Sequence, residues 1–323
     1  MKKSPLFLTI VLAGIFIANL CAAQQIVSFA SLPQGTANFF QASALAKVLQ
    51  QKTGIRARVN PLRGTALGIA AVNANEAEFM MGAMPDMADM YHGRGDHKGK
   101  DYKNLRLVFN NRPLTIGMLV RKDSGIKSFS DLKGKRLPTG WKAFPTQNQY
   151  QLAMLKTVGL TVDDIVGVPV PDLIRAANDF MEGKNDATAI ATVAPKVVEM
   201  NNAVGGIRFL SLPEGPDSLK ALQSVHQDFF YVTVQPSKRT VGIEEPTRIL
   251  AVDITVVSGT HVTDDVVYAL TKTAYENKKD LVKAHGSFMS FFPKNMVKRS
   301  FTIPYHPGAI KFYKEVGLWT ENK

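Results

Sequence analysis

Patterns typical of β-strands and α-helices alternate along most of this chain, and this alternation restricts the folds that it can adopt. Residues 25–30 alternate weakly, as a strand does, and 39–52 place apolar residues on one helical face before Gly54, a typical C-cap. The series continues with strand, helix and strand patterns at 56–61, 66–73 and 77–82. The spacing predicts an α/β fold with a parallel sheet and ligand loops at the carboxyl ends of its strands.

A second series of strand and helix patterns follows the first. Strand patterns at 105–110 and 115–121 precede an amphipathic helix pattern at 172–181 and a buried strand pattern at 187–191. The apolar segment 249–257 is long enough to cross between two lobes. We therefore expect two α/β lobes, each a mainly parallel sheet flanked by helices, with a ligand cleft between them. The predicted boundaries are 24–117 with 252–323 for lobe 1 and 118–251 for lobe 2.

Residues 1–23 have the pattern of a cleaved secretory signal peptide. Two lysines precede an apolar stretch at 6–20, and three small residues at 21–23 end the segment. The stretch is too short and wrongly flanked for a stable membrane span. We expect cleavage after Ala23 and a soluble periplasmic protein, to which ATP, NAD(P)H and chromosomal DNA are not ordinary partners.

The chain contains a single cysteine, Cys21, at the boundary of the predicted signal. Cleavage after Ala23 removes it and excludes disulfides, Fe–S clusters and cysteine-bound zinc from the mature protein. The alternative is lipidation at Cys21, which Leu20 disfavours because a small residue normally precedes a lipidated cysteine.

The formal net charge is +12, and the mature chain without the two signal lysines carries +10. This surplus attracts anions in general. The basic residues are scattered and form none of the patterns of nucleic-acid-binding proteins, so nucleic acid is not an expected partner.

Catalytic and metal-binding motifs are missing from the sequence. The six histidines form no His-Glu-x-x-His pair, and no Gly-x-Ser-x-Gly elbow occurs. We expect neither a cofactor nor a metal, and we keep a periplasmic enzyme only as a minor alternative.

Several short motifs lie in the first loop, at the entry to lobe 2 and near the C-terminus. They are Gly35-Thr36 with Phe39-Phe40, Asp131-Leu132-Lys133-Gly134, and Pro304-Tyr305-His306-Pro307-Gly308-Ala309. In these motifs, and over nearly the whole mature chain, the protein resembles the TAXI family, the solute-binding receptors of TRAP (tripartite ATP-independent periplasmic) transporters.

The resemblance implies the type II fold of periplasmic binding proteins, with ligand between two lobes and hinge closure on binding. It also implies capture of a small organic acid or amino acid, without chemistry, and delivery to a TRAP membrane permease driven by an ion gradient. A monomer is expected. A binding protein of an ABC importer or of a sensory system shares this fold and stays an alternative.

The predicted ligand site consists of five loops at strand ends and helix N-termini, together with one arginine ahead of the crossing between lobes. Free N–H groups and the dipole at a helix N-terminus favour a carboxylate there. The predicted ligand is a carboxylate with a planar or apolar portion. The predicted ligand-binding residues are Thr36, Phe39, Arg63, Thr65, Met84, Arg112, Trp141, Lys142, Thr146 and Thr192.

The charged candidates each have a second interpretation. Arg63 and Arg112 can each bind a carboxylate with two hydrogen bonds. Arg63 can instead lie exposed in its loop, and Arg112 on the surface at the hinge. Lys142 can pair with an anion or lie at an exposed loop tip.

Each of the other candidates also has two interpretations. Trp141 stacks on a planar ligand or lies at a loop tip. Phe39 and Met84 line the site or fill the core. Thr36 either offers its hydroxyl to a ligand or belongs to an ordinary turn, and Thr192 either donates to a ligand or caps a helix.

Overall fold

A mixed sheet of eight strands and a smaller two-stranded sheet form the centre of the protein. The computed structural model describes residues 26–34, 36–141 and 146–320; the predicted signal peptide lies outside them. The strands are β1 Ile26–Ser31, β2 Arg56–Pro61, β3 Phe79–Ala83, β4 Leu105–Arg121, β5 Arg136–Thr139, β6 Val166–Pro169, β7 Ala187–Ala191, β8 Ile207–Phe209, β9 Phe230–Val234 and β10 Thr247–Gly259.

Helices connect most of these strands, and their ends follow local rules. Thr36 caps α1 by accepting a hydrogen bond from the N–H of Phe39, and Gly54 ends it in the left-handed conformation. The helices are α1 Ala37–Thr53, α2 Thr65–Asn73, α3 Met84–His92, α4 Thr146–Lys156, α5 Leu173–Met181, α6 Pro195–Ala203, α7 Pro216–Gln223, α8 Asp264–Glu276, α9 Lys278–Ala284 and α10 Pro307–Glu315.

Two long antiparallel strands, β4 and β10, run through both ends of the larger sheet. The C-terminal half of β10 pairs with β3 and with the first part of β4, whereas its N-terminal half pairs with β9. The last part of β4 pairs with β7 and β8. The sequence predicted two separate strands, 105–110 and 115–121; this was wrong because pairing with β10 carries one continuous strand across 111–114, with an irregularity in register.

The α/β fold class is confirmed, and the sheet is mixed. Parallel pairs join β1 to β2, β1 to β3 and β5 to β6, as the alternating patterns predicted. The antiparallel β10 lies between β3 and β4. We call the part of the protein that contains β1, β2, β3 and α1–α3 the first end of the sheet. The second end is the part that contains β7–β9 and α4–α7, together with the separate two-stranded sheet of β5 and β6. The lobe boundaries themselves stay a prediction.

The helix α3 was not predicted from the sequence, which suggested a loop at 82–86. Pro85 lies in the first turn, where its missing N–H costs nothing, and Asp86 is favoured there by the helix dipole. Met87 and Met90 are buried on its inner face. The helix ends at Gly93, which is left-handed.

The main hydrophobic core includes residues from both ends of the sheet, and much of it lies at the first end. Phe29 of β1 and Phe79 of β3 are fully buried and stack with ring centroids 4.9 Å apart. Leu45 and Leu49 of α1 pack in the same cluster. This core holds the ends of β1 and β3 rigidly, and therefore also the loops that follow them.

Candidate functional site

A cavity of about 370 Å³ lies beside the paired strands β4 and β10, near residues 110–113 and 253. This volume falls in the usual range for small-molecule sites. Its wall is formed by β4, β9, β10 and the segment 290–298, which precedes α10. The lining residues are Asn110, Asn111, Arg112, Pro113, Phe230, Asp253, Ser290, Phe292, Lys294, Asn295, Val297 and Lys298.

Arg112 is a buried cation in this wall and has no acidic partner among the described residues. Its side chain is 8% exposed, and its Nη1 donates to the carbonyl of Pro113 over 3.0 Å. The buried Nε has no hydrogen-bond partner in the described part of the chain. Burial lowers the pKa of Arg112 to about 10, so the guanidinium is still charged at neutral pH. A buried charge without a counter-ion is costly, and a bound anion would relieve that cost.

Asp253 lies in the same cavity, but its charge is already compensated. Its buried carboxylate accepts a hydrogen bond from Nζ of Lys298. That Nζ also lies 4.4 Å from the centroid of the Phe230 ring. The ion pair leaves the charge of Arg112 unbalanced, and the exposed Lys294 adds a second cation at the wall. The cavity therefore favours an anion.

Two amides and an aromatic ring complete the lining. The Oδ1 atoms of Asn110 and Asn111 are buried and lack a hydrogen-bond partner within the described residues. Phe292 is 54% exposed and carries the Nζ of Lys278 over its ring at 4.3 Å. The lining therefore contains two amide oxygens without a partner among the described residues and an apolar ring at the cavity edge.

Two predicted residues lie on β4 or in contact with it. Arg112 lines the cavity, as described. Thr192 follows β7 and is buried, and its hydroxyl lies 2.6 Å from that of Thr115 in β4. The hydroxyl of Thr192 therefore connects the end of β7 to β4.

The first predicted loop uses its polar groups internally. The hydroxyl of Thr36 donates to the carbonyl of Pro33 over 2.8 Å and accepts from the N–H of Phe39 over 3.2 Å. Phe39 is half-buried, with its ring 5.7 Å from that of Phe40. In this arrangement Thr36 serves the helix as a cap.

The second loop presents an exposed arginine. Arg63 makes neither a hydrogen bond nor an ion pair with any described residue. Thr65 begins α2, and its methyl group lies close to Gly82 of β3. Arg63 is thus accessible to an anion without being held in place for one.

Met84 and Trp141 are both fully buried. Met84 belongs to the main core, and Trp141 packs against Val170 and Ala176. Trp141 has a left-handed φ of 31°, and its indole Nε1 has no hydrogen-bond partner in the described structure. In this conformation both side chains are core residues. Lys142 lies outside the described residues.

Thr146 begins α4 and donates its hydroxyl proton to the carboxylate of Asp86 in α3. Burial raises the pKa of Asp86 to about 6. One turn later, Asp89 contacts Nε2 of His226 at 3.1 Å and Nε2 of Gln149 at 3.3 Å. Burial tends to raise the pKa of Asp89, but its hydrogen bond and ionic contact with His226 hold it below its usual range.

The sequence patterns did not predict Asp253, Lys298 or the contacts of α3. A signal existed for Asp253, which is the one acidic residue in the apolar strand β10. A buried strand tolerates a carboxylate only when a partner compensates it. Lys298 lies far along the chain and had no comparable signal.

Other classes of site are not found in the part of the chain that the structure covers. Among residues 26–34, 36–141 and 146–320, no group of three or more histidine, cysteine and acidic side chains is placed to hold a metal ion. Within the same ranges, each helix is too short or too polar to cross a membrane.

Solved structures have a similar fold, and one of them is described as a solute-binding protein. A TctC solute-binding protein from Polaromonas matches with a TM-score of 0.55 and 13% identity, over 84% of this chain and 91% of that chain. XAC2383 from Xanthomonas citri, bound to ATP, matches with a TM-score of 0.54 and 10% identity, over 91% of this chain and 97% of that chain. The fold is therefore that of two-lobed periplasmic binding proteins.

A family model gives an assignment from sequence. The model of the NMT1-like family matches residues 29–317. The match begins in β1, ends just after α10 and includes the whole cavity lining. Because it spans well over half of the sequence, the chain belongs to the NMT1-like family.

Proposed function

We propose that this protein is an extracytoplasmic receptor that binds a small organic carboxylate or amino acid between its two lobes. The buried Arg112 guanidinium, which lacks an acidic partner among the described residues, carries the proposal. An arginine can hold a carboxylate with two parallel hydrogen bonds, and the low-dielectric surroundings strengthen them. The shared fold with solute-binding proteins supports the same function.

Different residues of the cavity bind different groups of the solute. Arg112 binds the carboxylate, and the Oδ1 atoms of Asn110 and Asn111 accept from a hydroxyl or ammonium group on the same solute. Phe292 covers an apolar portion. The Asp253–Lys298 ion pair keeps the wall closed without consuming the charge of Arg112.

The predicted loop residues form a second possible binding position for the solute. Thr36, Phe39, Arg63 and Thr65 lie at the N-termini of α1 and α2, where donors favour an anion. If the solute reaches these loops, Arg63 is the competing clamp. Variants of the two arginines therefore separate the two positions.

We further propose that the receptor delivers its solute to a TRAP permease as a TAXI-type receptor. The tail motif at 304–309 supports this partner. The alternatives are an ABC importer and a sensory system, which use the same fold. A neighbouring gene pair for an ion-driven permease supports the TRAP partner; a neighbouring transport ATPase contradicts it.

Replacement of Arg112 is expected to weaken solute binding by roughly 100-fold, because loss of one partner from a buried charge pair costs several kcal/mol. The measurement is calorimetry of Arg112→Met against a panel of carboxylates and amino acids. Methionine removes the uncompensated charge while filling its volume, so thermal stability is expected to be unchanged or higher.

The matched control is Arg63→Met, which removes an exposed arginine without a described partner. Its affinity is expected to stay within a factor of about three, as for an exposed charge. A loss in Arg63→Met with normal binding by Arg112→Met would move the clamp to the second loop. Tight binding of neutral or cationic solutes alone would contradict an anion receptor.

A receptor, unlike an enzyme, returns its solute unchanged. After incubation of the protein with the best-binding carboxylate, we expect mass spectrometry to recover that compound at its original mass. Samples without protein serve as the control. A protein-dependent product would favour the periplasmic enzyme.

A further inference from the structure

Polar side chains of α3 connect the first end of the sheet to the second. The helix α3 directly follows β3, which pairs with β1 and with the C-terminal half of β10. Its bonding partners lie in α4, which follows β5, and in the segment that leads into β9. That strand pairs with the N-terminal half of β10.

Three hydrogen bonds make this connection. The carboxylate of Asp86 accepts from the hydroxyl of Thr146. The two carboxylate oxygens of Asp89 contact Nε2 of Gln149 at 3.3 Å and Nε2 of His226 at 3.1 Å. Hydrogen bonds to a charged acceptor are stronger than neutral ones. One face of α3 therefore binds two separate elements of the second end.

His226 is held rigidly for this contact. It is buried and stacks on Phe229 with ring centroids 5.2 Å apart. Its Nδ1 accepts from the N–H of Asp228 over 3.2 Å, which leaves Nε2 as the protonated nitrogen that donates to Asp89. A donor already fixed in its bound orientation loses little entropy on forming the bond.

We propose that Asp86 and Asp89 of α3, with Thr146, Gln149 and His226, form a latch that holds the two ends of the sheet in the arrangement described here. Asp86, Asp89, Thr146 and Gln149 are each half-buried. Water can therefore reach these polar contacts and replace them when they break. The inference concerns the movement of the two ends and goes beyond the proposed solute, so its test needs no solute.

The test is a distance measurement between two spin labels in the full-length chain. Exposed Lys100 and Lys156 are replaced by cysteine, and Cys21, the only native cysteine, by serine. In Asp89→Ala we expect a longer-distance population, with the ratio of open to closed molecules increased roughly tenfold. Alanine preserves helix propensity in α3.

The control is Asp280→Ala, which breaks an ion pair between α1 and α9, where Asp280 lies 2.7 Å from Lys52. Its distance distribution is expected to equal that of the parent. His226→Phe is a second latch variant that keeps a buried aromatic ring against Phe229 while removing the donor, and it is expected to open as well. Unchanged distributions in both latch variants, or an equal shift in the control, would overturn the latch whether or not the protein binds carboxylates.

Discussion

The Gly308→Ala substitution is expected to destabilise the protein by about 3 kcal/mol, at the upper end for overpacking a well-packed site. Gly308 is buried in the first turn of α10, beneath the N-terminus of α8. An added Cβ would lie 2.2 Å from the backbone oxygen of Asp264 and 2.9 Å from its carbonyl carbon. Backbone atoms cannot rotate away as a side chain can, so the two helices must separate.

Chemical denaturation with a two-state analysis measures this loss. Gly286→Ala is the matched control, because an added Cβ at Gly286 meets nothing within 4 Å and its φ is not left-handed. The control is expected to change stability by less than about 1 kcal/mol. Equal effects in the two variants would contradict the close packing of α10 on α8.

The Asp86→Asn substitution is expected to stabilise the protein at neutral pH and to do little near pH 4. Burial, partly offset by the hydrogen bond from Thr146, raises the pKa of Asp86 from 3.8 to about 6. Asp89 raises it further, and His226 lowers it. Tyr150 is a further titratable group near this carboxyl.

The raised pKa of Asp86 makes the free energy of unfolding fall as the pH rises. Between pH 3.8 and about 6 the folded protein holds a proton on Asp86 that the unfolded chain has lost, so this group makes stability fall as pH rises. The full difference is up to about 3 kcal/mol and is reached above pH 6. Asparagine is never charged, and its Oδ1 can still accept from Thr146, so the variant avoids this loss.

Unfolding by denaturant at pH 4.5 and 7.5 tests the prediction through the difference between variant and parent. Asp280→Asn is the control with the opposite sign: the hydrogen bond and charge of Lys52 lower the pKa of Asp280, so its neutralisation removes a favourable interaction at pH 7.5. If Asp86→Asn increases the free energy of unfolding equally at both pH values, the raised pKa of Asp86 is not the cause of the increase.

Local patterns predicted the elements whose signals are local. The strand at 187–191 matches β7, and Gly54 ends α1 where a left-handed residue is needed. The helix α3 was missed because Pro85 follows Met84 directly after an apolar strand, and this dipeptide suggests a turn as readily as a helix start. Element type was therefore predictable where the local signal had one interpretation, and it was missed where the same residues fit a turn or a helix start.

The site was predictable only where a residue's chemistry is unusual by itself. Arg112 was predicted as a clamp and lies buried in the cavity wall without an acidic partner in the described chain. Its surroundings depend on strand pairing and on residues 290–298, which no local pattern places there. Trp141 was predicted at a loop, but burial of its large apolar ring makes it a packing residue.

The position of β10 has a consequence for how this chain reaches its native state. Residues 79–83 of β3 pair on one edge with residues 254–258 of β10. A chain made from its N-terminus presents β3 as an open sheet edge until residues 254–258 of the 323 have been synthesised. Open edges pair with other chains, and contacts between distant segments form slowly. We therefore expect partly synthesised chains to aggregate easily, and the nascent protein to depend on a chaperone that covers this edge.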